Sequence, residues 1–89
     1  MKYFKMIKNI SDDYLSFLNS LLNNGTIEEK YIATSIIWAL ISNNQKGKQQ
    51  IKTSKLSCVL KKNLDYLILS KIDNKDYQEL LEYIIKILN

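Results

Sequence analysis

The chain has 89 residues, with thirteen lysines and no arginine against nine acids, no histidine, and a formal net charge of +4. That length suits one small domain, 1–89, and an apolar fraction of 46% argues against disorder. With no histidine, no glycine-rich phosphate loop and no metal-ligand spacing, the chain offers acid–base, nucleotide and metal chemistry no foothold, so neither an enzyme activity nor a cofactor is expected.

Residues 2–10 place Tyr3, Met6, Ile7 and Ile10 on one helical face and Lys2, Lys5 and Lys8 on the other, which predicts a short terminal helix. The stretch lacks the long apolar run and cleavage site of a signal peptide. Ser11, Asp12 and Asp13 then form a helix start, a capping hydroxyl followed by acids that favour the helix dipole. Tyr14, Leu15, Phe17, Leu18, Leu21 and Leu22 follow at helical spacing, and Gly25 is expected to stop the helix in a left-handed conformation. Thr26 and Glu29 fit a capping box that opens the next helix.

That helix contains the central stretch, residues 31–41, YIATSIIWALI, which holds no charged residue. Apolar side chains all round a helix predict burial on most sides. The stretch is too short to span a bilayer. Asn44, Gln45, Lys46 and Gly47 predict a polar bend, followed by a short helix over 48–53 anchored by Ile51. Thr53 or Ser54 is expected to cap a helix carrying Leu56, Val59, Leu60, Leu64, Leu67 and Ile68, ending near Ser70 or Lys71. Cys58 lies in it as an expected small core residue. As the lone cysteine it makes no internal disulfide, which points to a reducing, cytoplasmic setting. Asp73 is the expected cap of the last helix, with Ile72 and Tyr77 as a hydrophobic staple.

No strand alternation competes with these patterns. The fold class is all-α, with Leu18, Leu22, Ala33, Ile37, Trp38, Leu40, Ile41, Leu60, Leu64, Leu81 and Ile84 as the candidate core. Two architectures fit: an armadillo-like right-handed stack of about five helices, or a small closed bundle.

The first of these rests on a resemblance. Leu18-Asn19-Ser20-Leu21-Leu22, Gly25-Thr26-Ile27-Glu28-Glu29, Ala33, Trp38-Ala39-Leu40-Ile41, Asn43-Asn44-Gln45-Lys46 and residues 56–67 together resemble an armadillo-type helical repeat over residues 14–70. Within that class, residues 38–46 are similar to segments of rotatin-type centriolar proteins. The resemblance implies about two repeat units, a piece or terminal part of a longer solenoid, with Trp38 filling the gap between stacked layers. It further implies a protein partner and a place at the centriole or centrosome. In armadillo proteins that hold extended peptides, an asparagine lies four residues after the tryptophan. Here Ser42 has that place and Asn43 comes one later, a shift of about 100° round a helix.

A protein–protein interaction or scaffold role is therefore the leading expectation, with Ser42, Asn43, Asn44, Gln45 and Lys46 as candidate partner-binding residues. An incomplete stack leaves an apolar face open, which makes self-association a further expectation. The alternative is nucleic-acid binding. Lys46, Lys48, Lys52, Lys55, Lys61 and Lys62 run without an intervening acid, and Lys48, Lys52 and Lys55 are expected on one helical face. The absence of arginine weighs against base-edge readout.

Overall fold

The computed structural model describes residues 10–42 and 44–89. It is all-α, with no strand among the described residues. The five helices among the described residues are α1 (Asp12–Asn24), α2 (Ile27–Ile41), α3 (Gln45–Thr53), α4 (Leu56–Leu69) and α5 (Lys75–Leu88). Residues 2–9 of the expected terminal helix and the site residue Asn43 lie outside the described residues, and Ile10, at the end of that stretch, belongs to no helix.

Local signals place the helix ends. Ser11 Oγ accepts from the Tyr14 N–H at 3.2 Å, with Asp12 and Asp13 in the first turn of α1. At the start of α2, Thr26 Oγ1 accepts from the Glu29 N–H at 3.2 Å, and Glu29 Oε1 accepts from the Thr26 N–H at 2.8 Å. Gly25 between them is extended (φ −77°), not left-handed as expected. Its requirement is space, since a Cβ there would lie 2.5 Å from the Leu21 carbonyl oxygen. Helix α3 starts at Gln45, earlier than expected, because Asn44 Oδ1 accepts from the Gly47 N–H at 3.1 Å and caps it. Gly47 is thus inside a helix rather than in a bend. A Cβ on it would sit 2.6 Å from the Leu40 carbonyl oxygen, so the missing side chain lets α3 close against the end of α2.

The Ser54 hydroxyl joins α3 to α4, donating to the Ile51 carbonyl at 2.8 Å and accepting from the Leu56 N–H at 3.1 Å. At the other end of α4, Lys71 takes the left-handed conformation (φ 54°). The Ile72 N–H bonds the Leu67 carbonyl and the Lys71 N–H bonds the Ile68 carbonyl, the paired bonds of a Schellman turn. Asn74, not Asp73, caps α5, its side chain accepting from the Tyr77 N–H at 3.1 Å. The one-residue shift takes Ile72 out of the staple position, and it packs on the core from the Schellman turn instead.

Helix α1 packs on α2 and α4, α2 also on α3 and α5, α3 on α4 and α5, and α4 on α5. Leu18, Leu22, Ala33, Ile37, Ile41, Leu60, Leu81 and Ile84 are buried, and so are Ile51, Leu56, Leu67, Tyr77 and Leu88. Leu40 and Leu64 pack on that core while partly exposed. Ile10 is fastened to α3 by a reciprocal pair: its N–H donates to Gln50 Oε1 at 2.8 Å, and Gln50 Nε2 donates to its carbonyl at 2.6 Å.

Two core expectations are overturned. Trp38 is 37% exposed, and α2 is buried along one side only, through Ala33, Thr34, Ile37 and Ile41. Tyr31, Ile32, Ser35, Trp38 and Ala39 line its outer side. An uncharged helix invites cover all round, but the neighbours it has here cover one face. Cys58 is also exposed. It lies about 200° round α4 from Leu56, on the side opposite the buried stripe.

Candidate partner-docking groove

The outer side of α2 supplies the first wall of the site. Spacings of three, four and seven put Tyr31, Ser35 and Trp38 in one row, with Ile32 and Ala39 beside them. Helix α5 supplies the second aromatic. Its buried residues Tyr77, Leu81, Ile84 and Leu88 face inward, which leaves Tyr83 half exposed on the flank. The Trp38 and Tyr83 rings stack with centroids 6.4 Å apart and planes 24° from parallel. Stacked, half-exposed aromatics offer large apolar area with little rotamer freedom left to lose on binding.

An open groove of about 580 Å³ runs beside this pair, with Trp38, Ile41, Tyr83 and Ile87 as its apolar lining. Ser42, Asn44, Gln45 and Lys48 make its polar lining. Three of the candidate partner-binding residues, Ser42, Asn44 and Gln45, are thus brought together, joined by Lys48 from the lysine run. Asn44 is committed to capping α3, and the Ser42 N–H closes α2 on the Trp38 carbonyl at 3.0 Å. Exposed Gln45 and half-buried Lys48 present an amide and a cation at the rim. Lys46 is exposed outside the groove lining.

Lys48 and Lys52, four apart, share a face of α3, but Lys55, expected beside them, is split off. Lys48 lines the aromatic groove, and Lys52 lines a separate pocket of about 190 Å³ with Lys61, Ser57 and Leu88. Lys55 borders a hollow between α1 and the start of α4, beside Ser16 and Asn19. The reason is local. Helix α3 ends at Thr53 and Ser54 is extended (ψ 172°), so Lys55 begins a new helix in a new direction.

Charge is nevertheless sorted by position. Lys30 Nζ lies 5.4 Å from the Tyr66 ring centroid, and the Tyr31 and Tyr77 rings are 5.9 Å apart. These contacts gather the start of α2, the end of α4 and the start of α5 at one end of the molecule. Glu28, Glu29, Asp65, Asp73, Asp76 and Glu79 are there, against Lys30, Lys71 and Lys75. The end of α2, all of α3, the start of α4 and the end of α5 lie at the opposite end. It carries Lys46, Lys48, Lys52, Lys55, Lys61 and Lys86, with Asp12 and Asp13 in the first turn of α1 nearby; Lys62 and Glu82 lie midway along α4 and α5, Glu82 next in sequence to Tyr83. The aromatic groove opens at this basic end.

One buried polar group stands apart. The Tyr77 hydroxyl makes no hydrogen bond in the packed interior. Burial pushes its pKa above the ordinary 10.0, an effect the neighbouring Thr34 hydroxyl partly opposes. Thr34 spends its own proton on the Lys30 carbonyl, at 2.8 Å.

Sequence reading missed Tyr83 and Ile87. The usable signal was Tyr83 itself, a large aromatic next to the inward stripe of a strongly amphipathic helix. Among the described residues no group of three His, Cys, Asp or Glu side chains could hold a metal ion. None of the described helices is long and apolar enough to cross a membrane. No protein-family model matches the chain, and neither a curated protein nor a solved structure does.

Proposed function

We propose that this protein is a non-enzymatic interaction module that holds an apolar protein segment flanked by carboxylates in the groove beside Trp38 and Tyr83. The observation that carries this reading is the exposed, stacked Trp38–Tyr83 pair opposite an amide and a lysine. Interfaces concentrate their binding energy in such aromatic anchors, with polar groups at the rim fixing orientation. Lys48 inside the groove, and the other lysines at that end, select for negative charge around the apolar anchor. An armadillo-type scaffold role, including its centriolar form, is the wider version of the same reading and rests on residues 14–70 alone. Asn44 would contribute to it by shaping the groove as the cap of α3.

The test starts with a photo-crosslinking amino acid at position 83 in the expressing cell, followed by purification of the protein it captures. Titrating that purified partner should give 1:1 binding, weakened at least tenfold by Trp38→Ala or Tyr83→Ala and unchanged by Thr53→Ala. Equal binding by all of these proteins would refute the groove as the docking site.

A second reading has its own observation, the approach of Lys52 and Lys61 to one pocket at the basic end. If that end tracks phosphates, a labelled single-stranded RNA or DNA should bind at 50 mM salt and weaken steeply by 200 mM. Lys52→Ala with Lys61→Ala should then flatten the salt dependence, whereas Tyr83→Ala should not.

A further inference from the structure

We infer that the occupant of the groove is a second copy of this chain, docked head to tail through the exposed corner where α4 ends. The inference rests on the docking role given to the groove above and names its partner.

The groove asks for an apolar anchor between carboxylates, and the chain carries one at its other end. Leu69 is 82% exposed, the most exposed of the large hydrophobic side chains described, with Ile68 and Tyr66 each about half exposed beside it. Asp65 lies one turn before Leu69 on the same face of α4, and Asp73 follows within a few residues. The Schellman turn at Lys71 reverses the chain directly after Leu69 and Ser70, so the apolar residues stand at a corner. That corner is held by backbone hydrogen bonds and packs Ile72 inward, so little ordering remains for binding to complete.

Charge complementarity supplies the direction. The corner belongs to the end where Glu28, Glu29, Asp65, Asp73, Asp76 and Glu79 outnumber Lys30, Lys71 and Lys75, and the groove to the end where Lys46, Lys48, Lys52, Lys55, Lys61 and Lys86 outnumber Asp12 and Asp13. Like ends repel and unlike ends attract, which disfavours a two-fold pair through either end. The surfaces that meet are different, so the contact is heterologous. Each added copy leaves one corner and one groove open, and association proceeds along a chain or closes as a ring.

The experiment is sedimentation equilibrium of the whole protein from 10 µM to 1 mM, in 50 mM and 500 mM NaCl. The wild type should show a mass rising with concentration, and the rise should shrink at high salt. Leu69→Lys removes the corner and Tyr83→Glu spoils the groove; both positions are exposed, so both proteins should keep the wild-type helical spectrum. Each variant alone should stay monomeric. An equimolar mixture should form a 1:1 heterodimer and go no further, because one intact corner meets one intact groove.

A wild type that is monomeric at 1 mM overturns the inference. So does an oligomer that Leu69→Lys leaves intact, or a mixture that stays monomeric. If the crosslink at position 83 captures a different protein, titrating that protein against Leu69→Lys, whose groove is intact, reports separately on whether the groove docks proteins at all.

Discussion

Replacing Tyr77 by phenylalanine should stabilise this protein. The ring is completely buried among the core residues, yet its hydroxyl has no hydrogen-bond partner. Leaving a buried hydroxyl unpaired costs about 1–3 kcal/mol, because folding strips its water and returns nothing. A gain of about 1 kcal/mol, the low end of that range, is expected for Tyr77→Phe, with the ring packing retained. In a domain of this size that gain raises Tm by roughly 4–8 °C. The pH dependence supplies an independent check. The folded pKa lies above the unfolded value of 10.0, so below pH 10 both states keep the proton and the full stability is present. Above pH 10 the unfolded chain releases the proton while the folded protein retains it. Stability then falls with rising pH, by up to about 1.4 kcal/mol per unit from this group. The variant lacks that loss, so its advantage should widen from pH 9 to pH 11. Urea unfolding of both proteins across that range measures it. A Tyr77→Phe protein less stable than wild type by 1 kcal/mol or more, or a gap that does not widen, would show that the hydroxyl has a strong partner.

Trp38→Ala should leave a cooperatively folding protein. A fully covered aromatic buries about 150–250 Å² and Trp38 remains 37% exposed, so the loss is about 2 kcal/mol by urea melts, with no sealed cavity to add to it. Gly47→Ala should cost about 1–3 kcal/mol in the same assay, since the new Cβ meets the Leu40 carbonyl and α3 must move off α2. Lys71→Gly should gain about 0.5–1 kcal/mol, because a left-handed lysine carries a steric penalty that glycine does not. Exposed Cys58 should react with a thiol reagent in the native protein, without denaturant. Labelling only after denaturation would mean that its side of α4 is covered.

The sequence by itself determined the helices and most of their ends. Ser11 and the Thr26–Glu29 box act on neighbours within a few residues, so their effect is local and legible, whereas α4 starts from Lys55, not Thr53 or Ser54, with no side-chain cap. Most of the inward stripe of each of α1, α4 and α5 was legible for the same reason, because a helix imposes its period on any amphipathic stretch, but Tyr14, Phe17 and Ile68 share the spacing and stand exposed. What the tertiary structure decided was how much of an apolar helix its neighbours reach. The stretch from Tyr31 to Ile41 holds no charge, and composition made it the buried centre. Only packing shows that α1, α3 and α5 cover one side and leave Trp38 on the other, stacked on Tyr83. The separation of Lys55 from Lys48 and Lys52, and the placing of the acidic corner and the basic groove at opposite ends, were decided in the same way. They depend on the angle at which one helix leaves another, and side-chain periodicity within a helix carries no information about that angle.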